Sequence, residues 1–247
     1  MIQTVIHSSA RGAADAVAWF LAECLAEDPS LVLGLPTGRT PIPMYRALVK
    51  LHRQGRADFS RATTFNLDEF VGVPASHPGS YHAFMQKHLF RHVNLDPTRT
   101  HLPAGDARSA TAEAARYDAA IAAAGGLDIA ILGIGANGHI GFNEPDRSLP
   151  AGTNVVTLKA GSRAGNAAAF GGEVSRVPKR AISMGVGTIL SARHVLLLAT
   201  GAGKASIIAK ALQGPVTTRV PASLLQLHPR AAVVLDRAAA ANLATSW

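Results

Sequence analysis

At 247 residues the chain is long enough to bury a sizeable core, and α/β chains of this length commonly form one domain, so residues 1–247 are expected to make a single unit. A hydrophobic fraction of 48% with 16% charged residues excludes a disordered chain, and 14 prolines with 23 glycines suit a loop-rich α/β enzyme. The net charge of +8 comes from scattered lysines and arginines with only 5% aromatics, which argues against a nucleic-acid surface and suits a small anionic substrate.

A lone cysteine, Cys24, cannot pair internally and sits in an amphipathic stretch, where it reads as a small apolar side chain in a reducing compartment. No apolar run approaches the ~18 residues of a membrane span, and the N-terminus lacks the basic-then-apolar order of a signal peptide. A cytoplasmic location without membrane partners is expected. No surface stripe announces an interface, so the oligomeric state stays open.

In chain order, short β-branched runs alternate with helical periodicity: a strand at Thr4–Ile6, a helix over 13–26, a strand at 31–35, a helix over 42–53 and a strand at 63–67. Helices over 81–90 and 111–124 follow, then strands at 128–132 and 194–198, a helix over 204–212 and a strand at 231–235. Near-continuous apolar strands between helices predict a Rossmann-like, open, mostly parallel sheet covered on both faces. Ligands bind such sheets outside the carboxyl ends of the strands, which singles out the loops after the second, third and central strands.

The first of these places Thr37, Gly38, Arg39 and Thr40 just before a helix that opens near Pro41. Backbone N–H groups, hydroxyls and a cation there make either a phosphate cradle or an ordinary glycine-proline turn. It is not a Walker loop, because the glycine spacing is one short and arginine stands where lysine would be required. The second loop carries Asp68 and Glu69 where the chain leaves the sheet, so one can face the cleft while its neighbour points away. Such a carboxylate serves either as a base for carbon-acid chemistry or as a helix cap.

The central loop, Gly133-Ile-Gly-Ala-Asn-Gly-His-Ile-Gly-Phe-Asn-Glu-Pro145, formally contains the dinucleotide fingerprint Gly-x-Gly-x-x-Gly. A cofactor site would run straight into a helix and meet an acidic residue at the end of the next strand; here the next strand-like run, 154–158, ends in Lys159. The loop instead gathers Asn137, His139 and Glu144, a group able to move a proton near neutral pH, with a buried structural histidine as the plain alternative. His88 and His92 have helical metal-ligand spacing but no evident third ligand, and no Gly-x-Ser-x-Gly elbow is present.

Together these motifs resemble the glucosamine-6-phosphate deaminase (isomerase) family over nearly the whole chain. The resemblance rests on Leu33 to Pro41, on Phe65-Asn-Leu-Asp-Glu-Phe70 continuing to Ser80-Tyr-His82, on Gly138 to Pro145, on Gly185-Val-Gly-Thr188 and on Leu225-Gln-Leu-His-Pro229. It implies aldose-ketose isomerisation of glucosamine 6-phosphate with loss of ammonia, giving fructose 6-phosphate, without metal or organic cofactor. By similarity Asp68 would take the C2 proton, and His139 would open the sugar ring with help from Glu144 and Asn137. Lys204 matches the family's phosphate lysine, whereas an arginine expected between Arg163 and Phe170 is replaced by Ala168. Arg39 is the candidate to supply that missing charge.

Asn137 stands where some members carry aspartate. The allosteric activator positions read Asn154 and Val156, and the sequence given stops at Trp247, so hyperbolic kinetics are expected. Glycines 161, 165, 171 and 172 would suit a lid over residues 159–177. Competing readings are the same fold acting on galactosamine 6-phosphate or a 6-phosphogluconolactone, or a non-catalytic sugar-phosphate regulator, which would have no need for Asp68, His139 and Glu144 together.

Overall fold

A computed structural model describes residues 2–244; Met1 and residues 245–247, Trp247 among them, lie outside the described residues. The elements run β1 (Gln3–His7), α1 (Ala10–Glu27), β2 (Val32–Leu35), α2 (Ile42–Arg53), β3 (Thr63–Asn66), β4 (Asp68–Phe70), α3 (Tyr81–His88), β5 (Thr100–His101) and α4 (Ala110–Ala123). They continue as β6 (Ile129–Leu132), β7 (Asn154–Thr157), α5 (Ala160–Asn166), β8 (Arg180–Ser183), α6 (Val186–Leu190), β9 (His194–Ala199), α7 (Ala205–Gln213) and β10 (Ala231–Asp236).

Seven strands form one sheet in the order β1-β10-β9-β6-β2-β3-β5, with every neighbouring pair parallel. The apolar runs alternate between two cores. Leu33, Leu35, Ile129, Ile131, Leu196 and Leu198 pack with α1 and α2. Val32, Ala130, Leu132, Val195, Leu197 and Val233 pack with α4 and α7 on the other face. Helix α1 begins where Ser9 accepts the Gly12 N–H at 3.1 Å, and it buries Ala13, Val17, Leu21 and Leu25 at helical spacing. Cys24 lies half-buried at the margin of that face, with its thiol pKa raised chiefly by burial.

The expected covered, parallel sheet is therefore what forms, with two differences. The helix expected over 81–90 stops at His88 and passes into a 3-10 turn at Phe90–His92, and Lys204 ends a 3-10 turn rather than opening α7. The second difference is a small sheet, β4-β8-β7, antiparallel throughout, whose strands β4 and β8 no apolar run announced. It covers a third core of Phe70, Tyr81, Phe142, Leu158, Phe170 and Val177, which supports the segment 159–177. That segment holds α5 and two 3-10 turns, Ala167–Phe170 and Val174–Arg176.

From β2 the chain proceeds outward through β3 to β5, then returns to place β6 on the other side of β2. The loops leaving β2 and β6 therefore diverge from adjacent strands, and such a reversal opens a crevice at the carboxyl edge.

Candidate active site

That crevice is a cleft of 550 Å³, and Thr37, Gly38, Arg39, Thr40, Asp68, Asn137, His139 and Lys204 all line it. Of the site residues expected from sequence, only Glu144 stands behind the wall, buried beneath Asn137.

The loop after β2 is shaped by Gly38, whose φ of +98° is natural to glycine. The backbone N–H groups of Thr37, Gly38, Arg39 and Thr40 reach no protein acceptor among the described residues. They are free for an anion. Helix α2 itself adds little, since Pro41 and Pro43 lack N–H groups and the Ile42 N–H is taken by the Arg39 carbonyl. Two cations line the cleft, Arg39, which is exposed, and Lys204, half-buried, whose Nζ donates to the Ile134 carbonyl at 2.6 Å and whose pKa is lowered by burial. Ala168 is exposed and outside the cleft lining, and the neighbouring Arg163 is occupied by the carbonyls of Val177 and Val174 at 3.2 and 2.7 Å.

Asp68 and Glu69 part company on β4, as successive strand residues must. Asp68, only 7% exposed, enters the cleft and accepts no hydrogen bond among the described residues. Burial, with Glu69 adding repulsion, pushes its pKa up to about 8. Glu69 turns to α3 and accepts N–H groups from Phe70, Tyr81 and His82 at 2.8, 3.0 and 3.0 Å. Burial raises it to about 7 against the pull of those donors. The two neighbours thus divide: Glu69 caps the helix, and Asp68 enters the cleft.

His139 is held from one side by Asn137, whose Oδ1 lies 2.7 Å from Nδ1, while Asn137 Nδ2 donates to Glu144 Oε2 at 3.3 Å. A carboxylate only accepts, so the amide must turn its NH₂ to Glu144 and its oxygen to the imidazole. Nδ1 then carries the proton and Nε2 keeps a free lone pair. Burial lowers the His139 pKa to about 4, opposed by Glu144 and assisted by Lys204, so the ring is neutral near pH 7. Glu144 does not touch the histidine; its other oxygen accepts the Lys159 N–H at 3.0 Å at the entrance to α5.

The fingerprint glycines acquire a different explanation. A Cβ on Gly135 would collide with the His139 imidazole, and Gly138, at φ +88°, would press on Val220 and Ile207. Gly135 is small so that the histidine can fold back on its own loop, and Gly138 so that the turn can pack on Val220 and Ile207.

Sequence reasoning gave no role to Tyr81, Ser162 or Asn166, which also line the cleft. Tyr81 Oη lies 3.2 Å from Asn166 Oδ1, and buried Ser162 Oγ has no partner among the described residues. Other matched motifs are structural. His77 caps the Gly79 N–H and stacks on Phe170 at 5.5 Å, Gln226 donates to the carbonyls of Ala211 and Gly214, and His228 meets that of Ala192. His92 faces the Lys87 carbonyl while His88 packs on Phe84, and among the described residues no cluster of three metal-ligand side chains includes them.

Known proteins are similar to this chain over nearly its whole length. A sequence model for the family described as glucosamine-6-phosphate isomerases/6-phosphogluconolactonase matches residues 7–234. A glucosamine-6-phosphate deaminase of Halothermothrix orenii is 44% identical over 98% of this chain and 100% of its own length. Glucosamine-6-phosphate deaminase 2 of Bacillus subtilis is 49% identical over 86% of each chain. A solved structure described as a monomeric glucosamine-6-phosphate deaminase superposes with a TM-score of 0.94 at 40% identity, covering 98% of this chain and 100% of that one. The 6-phosphogluconolactonase of Trypanosoma cruzi, at 19% identity and a TM-score of 0.78 over 98% and 97% of the two chains, shares the fold. The chain belongs to the glucosamine-6-phosphate isomerase/6-phosphogluconolactonase family.

Proposed function

We propose that this protein is a glucosamine-6-phosphate deaminase, converting glucosamine 6-phosphate and water to fructose 6-phosphate and ammonia. The observation that carries the reading is one cleft holding a buried carboxylate without hydrogen-bond donors, Asp68, and a neutral imidazole with a free Nε2, His139. Carbon-acid chemistry needs the first and ring opening the second.

In this reading His139 Nε2 takes the proton of the anomeric hydroxyl and returns it to the ring oxygen as the pyranose opens. Asn137 holds the ring in the required tautomer. Asp68 removes the C2 proton while the substrate ammonium passes a proton to the C1 oxygen; Asp68 then delivers its proton to C1, so that the enolamine becomes an imine at C2, and water adds there as ammonia departs. A donor-poor, buried carboxylate holds a proton tightly enough to make it an effective base once ionised. The substrate amine, as ammonium, favours that ionisation.

The phosphate would rest on the free N–H groups of Thr37 to Thr40, between Arg39 and Lys204, with Arg39 supplying the charge absent at Ala168. Segment 159–177 would close above it as a lid, through Gly161, Ser162 and Asn166. The test is ammonia release from a panel of glucosamine 6-phosphate, galactosamine 6-phosphate and 6-phosphogluconolactone, with Asp68→Asn as control. Turnover of the lactone alone, or no turnover at all, would sink the reading.

A further inference from the structure

Glu69 takes part in none of these steps, yet it is 2% exposed and its carboxylate accepts three backbone N–H groups. Two of them, from Tyr81 and His82, open α3, where Ser80 already caps the helix by accepting the Ala83 N–H at 3.0 Å. The serine suffices as a cap. Burying a second acid at the same helix end costs desolvation, and what the fold gains is a fixed position for the next residue. Gly105 presses on Glu69 from behind: a Cβ there would stand 3.3 Å from Glu69 Cγ and collide with the carbonyls of Phe70 and Val73.

Tyr81, the first residue of α3, packs its ring on Phe70 and Phe142 at centroid distances of 4.8 and 6.1 Å. Its hydroxyl reaches the cleft, where it donates to Asn166 Oδ1 of α5 at 3.2 Å on a lining shared with Thr37 of the anion loop and with Asp68, whose charge raises the tyrosine pKa. We propose that Glu69 is a positioning residue for the deamination, acting through the first turn of α3 to set the Tyr81 hydroxyl between Asp68, the anion loop and α5. The inference rests on Asp68 as the base.

Charge adds to geometry. The titratable and charged groups around Asp68 are Glu69 on its own strand, Tyr81 of α3, Tyr117 of α4 and, along the same cleft, Arg39, His139 and Lys204. Glu69 is the neighbour whose charge raises the Asp68 pKa, so a neutral side chain there should make Asp68 ionise at lower pH.

The experiment compares pH profiles of ammonia release for the wild type, Glu69→Gln, Glu69→Asp and Tyr81→Phe. Glu69→Gln should lose kcat by roughly tenfold or more while the acid limb moves down by about one pH unit. Glu69→Asp keeps the charge and should lose kcat without moving the limb, and Tyr81→Phe should lose kcat as well. A lost helix cap would lower stability and rate but leave the limb in place; that result, or wild-type behaviour of Glu69→Gln, overturns the proposal. If Glu69→Gln fails to fold, Tyr81→Phe decides, and a wild-type kcat there overturns it. Activity retained in Asp68→Asn would instead remove the base itself, whereas an inactive Asp68→Asn beside unaffected Glu69 and Tyr81 variants refutes the positioning role alone.

Discussion

The amide of Asn137 stands between His139 and Glu144, accepting from the imidazole at 2.7 Å and donating to the carboxylate at 3.3 Å. The link from acid to histidine passes through a group that cannot take a proton, so Glu144 orients the imidazole through the amide without charging it directly. Replacing Asn137 with aspartate puts a negative charge against Nδ1 and should raise the His139 pKa from about 4 towards its ordinary value. The acid limb attributable to His139 would then move to higher pH, measurable by imidazole NMR titration. An unchanged titration would remove Asn137 from control of the ring.

Asp68→Asn should reduce kcat by about 10²–10⁴-fold while sugar-phosphate binding survives, as calorimetry would report. Stability should move the other way. With a folded pKa near 8 against 3.8 unfolded, the native state holds a proton that the unfolded chain gives up, so Asp68 erodes stability as pH rises from about 4 to 8. The variant should therefore melt above the wild type at pH 8, with the gap closing below pH 5. A gap independent of pH contradicts the buried, donor-free carboxylate.

Arg39→Ser should raise KM tenfold or more and leave kcat nearly unchanged, because a charge-assisted phosphate contact contributes about 1.5–3 kcal/mol in both ground and transition states. Lys204→Ala should act in the same way. A KM unaffected by the arginine change would mean that Arg39 does not supply the charge expected at Ala168.

Gly135→Ala probes the glycine-rich loop after β6. The added methyl meets the His139 ring and must displace it, so kcat should fall by roughly a hundredfold, with a much smaller loss from the same change at Gly133, where a Cβ meets open space. Equal effects at the two glycines would count against this packing.

Closure of segment 159–177 can be followed by limited proteolysis. Arg163 ties α5 to the Val174 and Val177 carbonyls, and Tyr81 ties it to the cleft wall. Substrate analogues should protect the segment from cleavage, and Arg163→Ala should leave it sensitive. Protection identical with and without ligand would leave the lid without support.

The parallel sheet was legible because its central strands β2, β6, β9 and β10 are nearly continuous apolar runs feeding two cores, and because the helices between them carry clear periodicity; the two-residue edge strand β5 was not. The loops after β2, β3 and β6 were legible as well, since their glycines and polar residues interrupt that pattern where the chain leaves the sheet. Strands β4 and β8 were not. They are short stretches that pair with each other across more than a hundred residues, Asp68 with Ser183 among them, and local composition carries no trace of such a bond.

The sequence by itself therefore determined the class of fold, the family and the chemical groups of the site, because periodicity and side-chain type are local properties. Tertiary structure decided what each group does. It sent Asp68 to the cleft and Glu69 to the helix, put Asn137 between His139 and Glu144, and brought Tyr81 and Asn166 to the same wall. Burial, orientation and contact arise only when distant segments meet, and it is they that separate the carboxylate in the cleft from the one beside it.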